Sequence, residues 1–284
     1  MGEIIDILRD KMVFHEKYGI GRIVDVVNGD NSSRLIVSFA NKDTKFSFPS
    51  CFLDEFLTTD DPELLSLINN YEGQLIYNYL SGREVKSLIH FTVSDNLSSI
   101  FEKGIIPRDQ LDESAYVLDE QRLDGECDGS CFTLSFPNYK MFYKYRTNSQ
   151  DKTFVILGVK IDYVQALRKE QIAFYPANAA MTGLRDTFET HQGIESLKKM
   201  FSDHPLGCKD NYHRSESNLP DCYTTNPQAE VIIKATVPPE YIWRVYVESQ
   251  SDARKVKRVL EEEYHDIVQV YPELFDHRMD YIWW

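Results

Sequence analysis

The sequence predicts an α+β fold preceded by a small all-β module, and three observations predict it. Short β-rich runs, separated by turn-forming clusters, dominate residues 1–58. From residue 86 onward, strand-like and helix-like segments follow one another without regular alternation, which suits α+β better than a doubly wound sheet. Hydrophobic residues make up 42% and aromatic residues 13% of the 284-residue chain, enough for a packed core.

In the first module, Gly19–Val27 and Arg34–Phe39 are β-rich runs on either side of Asn28-Gly29-Asp30-Asn31, a strong turn signal. Asn41-Lys42-Asp43 turns the chain into a third run, Thr44–Phe48, which Pro49 ends. The pattern VFHEKYGIGRIV…VSF…FSFPSCF, between Met12 and Leu57, resembles the SH3-like, Tudor-type modules appended to some nucleic-acid enzymes, and it assigns residues 1–58 to a small barrel. Thr59-Asp60-Asp61-Pro62 then reads as a helix start, with Pro62 tolerated in the first turn. Leu64, Leu65, Leu67, Ile68 and Tyr71 give residues 59–85 the apolar stripe of a connecting helix.

The larger domain is expected over residues 86–250, with a helix and tail over 251–284. Ser87–Phe91 reads as a strand, and Asn96–Lys103 as a helix capped by Ser94 or Asp95 and stopped by Gly104. Phe132–Phe136, Phe154–Ile161, Ile172–Tyr175, Glu230–Thr236 and Trp243–Val247 read as further strands, and Ile194–Phe201 as a helix. Ser251–His265 is expected to be a charged helix with Val256, Val259, Leu260 and Tyr264 on one face.

Composition narrows the function classes. No run approaches the roughly 20 apolar residues of a membrane helix, and Met1–Arg9 lacks the basic start and apolar stretch of a secretory signal, so a soluble cytoplasmic protein is expected. Five cysteines, an odd number, argue against a disulfide framework; neither Cys127 with Cys131 nor Cys208 with Cys222 has CxxC spacing, so no metal is expected. The formal charge of −14 counts against an extended nucleic-acid-binding surface. A local patch is still available: eight acids crowd 109–128, whereas Lys140, Lys144, Arg146, Lys152, Lys160, Arg168, Lys169 and Arg185 turn the balance positive over 140–185.

Three constellations carry chemistry. The first is Leu88-Ile-His90-Phe-Thr92-Val-Ser-Asp-Asn96, running on to Gly104. The second is Arg122-Leu-Asp-Gly125, followed by Phe132-Thr-Leu-Ser135-Phe-Pro-Asn-Tyr139-Lys-Met141. The third is Asn226-Pro-Gln228-Ala-Glu230-Val-Ile-Ile. Singly, each has an ordinary reading: a structural histidine, a surface arginine amid acids, a charge at a strand start, core tyrosines. In this order, over Lys86–Tyr246, they resemble the DarT-type DNA ADP-ribosyltransferases, toxins paired with an antitoxin that reverses the modification.

That resemblance implies an ADP-ribosyltransferase fold, two facing antiparallel sheets with flanking helices and NAD in the cleft between them. It implies that His90, with Thr92 beside it, meets the adenosine ribose, that Asn96 lines the same pocket, and that Arg122 contacts the diphosphate. Ser135 and Tyr139 of the second motif join them as candidate NAD contacts. Glu230 would orient the nicotinamide ribose, and Gln228 would orient the acceptor, a QxE pair that recurs in ADP-ribosyltransferases modifying guanine. The chemistry of these side chains agrees. A guanidinium fork suits a diphosphate, and a carboxylate against the ribose stabilises the oxocarbenium-like charge left when nicotinamide departs. If 228–230 is extended, Gln228 and Glu230 point the same way. Lys140, Lys144 and Arg146 are the candidate contacts to nucleic acid. The implied enzyme transfers ADP-ribose from NAD to a base in single-stranded DNA or RNA, as a toxin or phage-defence effector with an antitoxin protein as partner. Modification of a protein side chain, or a non-catalytic NAD-binding or nucleic-acid-binding adaptor, are the alternatives.

Overall fold

The computed structural model describes residues 5, 7–28, 33–113, 115–118, 124–126, 128–185, 187–204, 206–207 and 212–284. The chain divides into two compact units, Met1–Leu75 and Ile76–Trp284.

The first unit is a four-stranded antiparallel meander of β1 (Met12–His15), β2 (Gly19–Asn28), β3 (Ser33–Phe39) and β4 (Lys42–Phe48), hydrogen-bonded in chain order. Period-two burial along β3 sends Leu35, Val37 and Phe39 inward, where they meet Val13, Ile23, Phe48, Phe52 and Leu57. The expected barrel is an open sheet instead. Among the described residues β1 and β4 do not pair, and β1 bonds Thr58 through Phe14. The expected turn at 29–31 lies outside the described residues. Beyond a short helix α1 (Ser50–Leu53), the helix α2 (Pro62–Gly82) begins as its sequence predicts. The Asp61 carboxylate accepts from the N–H groups of Glu63 and Leu64 at 3.1 and 2.9 Å and so caps it.

The second unit is built on one seven-stranded mixed sheet, where two separate facing sheets were expected. Its order is β11 (Val268–Val270), β10 (Ile242–Val247), β7 (Phe154–Lys160), β5 (Ser87–Val93), β6 (Ser130–Leu134), β9 (Glu230–Ile233) and β8 (Ile172–Tyr175). All neighbours are antiparallel except β10 and β11. β7 is buried over 154–159, as a β-branched central strand should be. The expectation of two sheets has a physical remnant: β5 and β6 share only the pairs Leu88↔Leu134 and Ile89↔Thr133, whereas β5 and β7 are in register over seven residues.

Helices α3 (Leu97–Lys103), α4 (Tyr139–Asn148), α5 (Gly193–Lys199) and α6 (Gln250–Val259) flank this sheet. Gly104 ends α3 at φ +90°, and a Cβ there would stand 2.4 Å from the Val237 carbonyl oxygen. The close approach lets Ile105 and Val237 exchange two backbone hydrogen bonds, each of 2.9 Å. The predicted helix 251–265 stops early. α6 ends at Val259, whose side chain is exposed, and Leu260 turns into a 3-10 segment at Glu262–Ile267. The chain closes through Pro272–Phe275 and Tyr281–Trp283, both 3-10 turns. Among the described residues no helix is long and apolar enough to cross a membrane.

Candidate active site

Where the β5–β6 ladder stops, the two strands take different partners. β5 continues along β7 and β6 continues along β9. The opening between them is a cavity of about 330 Å³, lined by residues 89–92 of β5, residues 129–133 before and along β6, α4 and the start of β9. Its size and mixed lining are those of a small-molecule site.

His90 sits at that opening. The next cross-strand bond after Ile89↔Thr133 is made by its ring, with Nδ1 donating to the Cys131 carbonyl oxygen at 2.9 Å. A carbonyl only accepts, so this bond puts a proton on Nδ1. Two residues along β5, the buried Thr92 accepts at Oγ1 from Asn96 Nδ2, at 2.9 Å. Asn96 also donates to the Tyr116 carbonyl and accepts from the Tyr116 N–H, both at 2.8 Å. Its amide therefore brackets the 115–118 loop against β5, and that loop forms part of the cavity wall. Thr92 and Asn96 line the cavity, and the polar atoms of Asn96 are engaged in building the wall.

Glu230 opens β9 opposite Tyr175 of β8 and is 5% exposed. Its carboxylate lines the cavity and is held by donors that the sequence did not single out. Asn178 Nδ2 donates to Oε1, and the Ala179 N–H donates to Oε2, each at 2.9 Å. Asn178 is itself fixed, because its Oδ1 accepts from the Ala180 N–H at 3.0 Å. A buried carboxylate with donors on both oxygens keeps a defined orientation.

Gln228 does not share that extended geometry. It lies in a turn in which its N–H donates to Asn226 Oδ1 at 2.8 Å and the Ala229 N–H donates to the Asn226 carbonyl at 3.1 Å, and its side chain is outside the cavity lining. The alternation that would point Gln228 and Glu230 the same way begins only at β9. The turn is anchored from the C-terminal segment. Arg278, 1% exposed, donates to the Thr224 and Thr225 carbonyls at 2.8 and 2.9 Å and pairs with the buried Asp280 at 2.7 Å.

The remaining expected residues divide. Arg122 lies outside the described residues. Ser135, at φ +62°, and Tyr139 are not part of the cavity lining, and burial raises the phenol pKa of Tyr139. Lys144 is exposed and lines the cavity, whereas Lys140 does not. Arg146 departs from its expected role as a nucleic-acid contact. Its guanidinium stacks between Phe142 and Phe275, pairs with Glu248 and donates to the Phe275 carbonyl. It therefore ties α4 to β10 and the C-terminal segment. Asn138, Asn178, Arg108 and Asp124 line the cavity without having been read as site residues. Among the described residues one cluster has metal-ligand chemistry, Asp203, His204 and His213, and none of the three lines the cavity.

Comparison with known proteins follows the same residues. The family described as DarT, ssDNA thymidine ADP-ribosyltransferase, matches residues 89–276. No curated protein matches the chain. Among solved structures, Thermosipho africanus DarTG in complex with ADP-ribose is 18% identical with a TM-score of 0.45, over 67% of this chain and 51% of that one, so the chain spans about half that protein's length. Thermus sp. 2.9 DarT in complex with carba-NAD+ is 17% identical with a TM-score of 0.47, over 68% and 99%. The same protein in complex with ADP-ribosylated ssDNA is 15% identical with a TM-score of 0.46, over 68% and 97%.

Proposed function

The chain belongs to the DarT family of ssDNA thymidine ADP-ribosyltransferases, and from that premise we propose that it cleaves NAD and transfers ADP-ribose to a thymidine base in single-stranded DNA. The observation that carries the reading is the Glu230 carboxylate, buried in the cavity wall with a donor on each oxygen. In the reaction the bond between nicotinamide and its ribose breaks, and nicotinamide leaves with the electron pair. A ring nitrogen of the base bonds to the same ribose carbon and gives up its proton. Positive charge on the ribose peaks between these events, and a fixed carboxylate stabilises it. Glu230 is also the candidate acceptor for the proton of the base. His90, fixed through Nδ1 at the cavity, is the candidate contact to a ribose hydroxyl. Single strands are the preferred acceptor because their bases enter a cavity without the cost of unstacking a duplex.

Within this reading, Arg122 is the candidate diphosphate contact and Lys144 a candidate contact to the strand. Gln228, in the turn before β9, remains the candidate on the acceptor side. The N-terminal four-stranded unit acts as an accessory for targeting, because every residue proposed for a chemical role lies in 76–284. The resemblance to toxins supports a toxin or phage-defence role in the cytoplasm and an antitoxin protein as partner. Incubation of the purified chain with labelled NAD and, separately, thymidine-containing ssDNA, ssDNA lacking thymidine, duplex DNA, RNA and cell lysate tests the proposal. Label is expected in the first pool alone. Label in protein or RNA, or in none of the pools, would overturn it.

A further inference from the structure

One donor in the cavity wall has no partner among the described residues. Asn138 lines the cavity and is 2% exposed, and its Nδ2 is buried without a hydrogen bond. The other end of the amide is committed. Oδ1 accepts from the Met141 N–H at 3.3 Å and caps α4. That bond fixes the orientation of the amide, because only the oxygen can accept. The nitrogen is the atom turned away from the helix. Native folds seldom leave a buried donor unpaired, and such a group points to a ligand when it faces a cavity.

The helix indicates what kind of ligand. α4 has ten residues and no acid in its first turn, so the positive end of its dipole stands uncompensated beside the Asn138 amide. Met141 and Tyr145, three and seven residues further on, share the Asn138 face and line the same cavity, as does Lys144. A helix N-terminus joined to a buried amide donor favours an anionic oxygen. We propose that Asn138 reads the diphosphate of NAD, with Nδ2 donating to a diphosphate oxygen at the N-terminus of α4. The inference rests on the NAD-dependent reading given above. Burial decides against the phosphate of a DNA strand, since an amide this enclosed is reached by a molecule that enters the cavity rather than by a chain lying across it.

The test uses two substitutions, each of which keeps a cap for α4. Asn138→Ser and Asn138→Asp both supply an oxygen to the Met141 N–H, and both remove the amide N–H that would reach the diphosphate. Asn138→Asp also puts negative charge where the diphosphate would lie. Affinities of the wild-type chain and both variants for NAD, ADP-ribose and adenosine are measured by calorimetry, with thermal unfolding alongside. Loss of a hydrogen bond to a charged group should weaken NAD and ADP-ribose about tenfold in Asn138→Ser. Asn138→Asp should weaken them further, while adenosine affinity and the unfolding midpoint stay at wild-type values. If Asn138→Asp does not fold, Asn138→Ser decides. Unchanged ADP-ribose affinity, or an equal loss for adenosine, would make Asn138 a helix cap only and overturn the proposal. So would a loss of ssDNA affinity with NAD affinity intact. A wild-type chain that binds neither NAD nor ADP-ribose overturns the NAD-dependent reading and this inference with it. Wild-type binding with unaffected variants overturns this inference alone.

Discussion

Replacing Glu230 by Gln changes one atom and tests both the chemistry and the cradle around it. In the native site Asn178 Nδ2 and the Ala179 N–H each donate to a carboxylate oxygen. A glutamine has one oxygen, so its amide nitrogen must face one of these two donors. Asn178 cannot turn over to relieve the clash, because its Oδ1 already accepts from Ala180. The substitution therefore removes one hydrogen bond and opposes two buried donors, at a cost of about 1–3 kcal/mol of folding stability. The catalytic loss is larger. Removing a preorganised charge from a developing cation lowers the rate roughly 100- to 1,000-fold. NAD would still meet His90 and the rest of the wall, so its affinity should fall little. The assay is single-turnover transfer of labelled ADP-ribose to a thymidine-containing oligonucleotide at saturating NAD, with urea unfolding in parallel. Near wild-type transfer by a folded Glu230→Gln protein would remove Glu230 from the chemistry. A wild-type unfolding curve would refute the donor-against-donor argument on its own.

Three further outcomes are expected. Asp280→Asn removes the charge opposite the fully buried Arg278, and breaking such a pair costs about 3–5 kcal/mol. Urea unfolding should show that loss, and a change below 1 kcal/mol would mean that the pair is not enclosed as described. Lys144→Ala and Arg146→Ala should separate, since Arg146 is bound to Glu248 and Phe275 whereas Lys144 is exposed at the cavity. The first should flatten the salt dependence of oligonucleotide binding, and the second should lower stability by about 1–3 kcal/mol; a reversed pattern would refute the assignment. His191 is held below the ordinary imidazole value of 6.5, first by burial and then by the charge of Lys199. As pH falls through 6.5 the unfolded chain takes up this proton before the folded one does, so the contribution of His191 to stability is present above that pH and is lost below it. Wild-type protein should therefore lose more stability between pH 7.5 and 5.5 than His191→Phe, and equal losses would exclude the effect.

What was legible in the sequence followed the range of the interaction concerned. Strands such as Ile172–Tyr175 and the central β7 are encoded by runs of β-branched and aromatic residues, and they appear within a few residues of their expected bounds. The helix start at Asp61-Pro62 is likewise local, a carboxylate reaching N–H groups two and three residues away. Closure of the N-terminal sheet was not legible in the same way, because it requires β1 to meet β4 and no short pattern specifies that pairing. The predicted helix 251–265 failed because a charged stretch with apolar residues at helical spacing fits a helix that ends at Val259 as well as one that continues.

The site shows the same division more sharply. The motif around Glu230 singles out a carboxylate that stands in the cavity wall, but its orientation comes from Asn178 and Ala179, some fifty residues earlier in the chain, and from β8 beside it. The preceding turn is set from still further away. Thr225 donates its N–H to the Met200 carbonyl, Asn226 donates to the Leu206 carbonyl, and Arg278 holds the carbonyls of Thr224 and Thr225. Arg278 lies two residues beyond the region matched by the family, and in sequence it is one charge in a segment that runs on to Tyr281, Ile282, Trp283 and Trp284. Only in the fold does it become a buried ion fixing the backbone that leads into β9. A motif thus singles out a side chain, while the tertiary contacts of remote, ordinary-looking residues decide where that side chain stands. For this reason Gln228, two residues from the acid, lies in a turn outside the cavity lining, while Asn178 and Asn138 line the cavity itself.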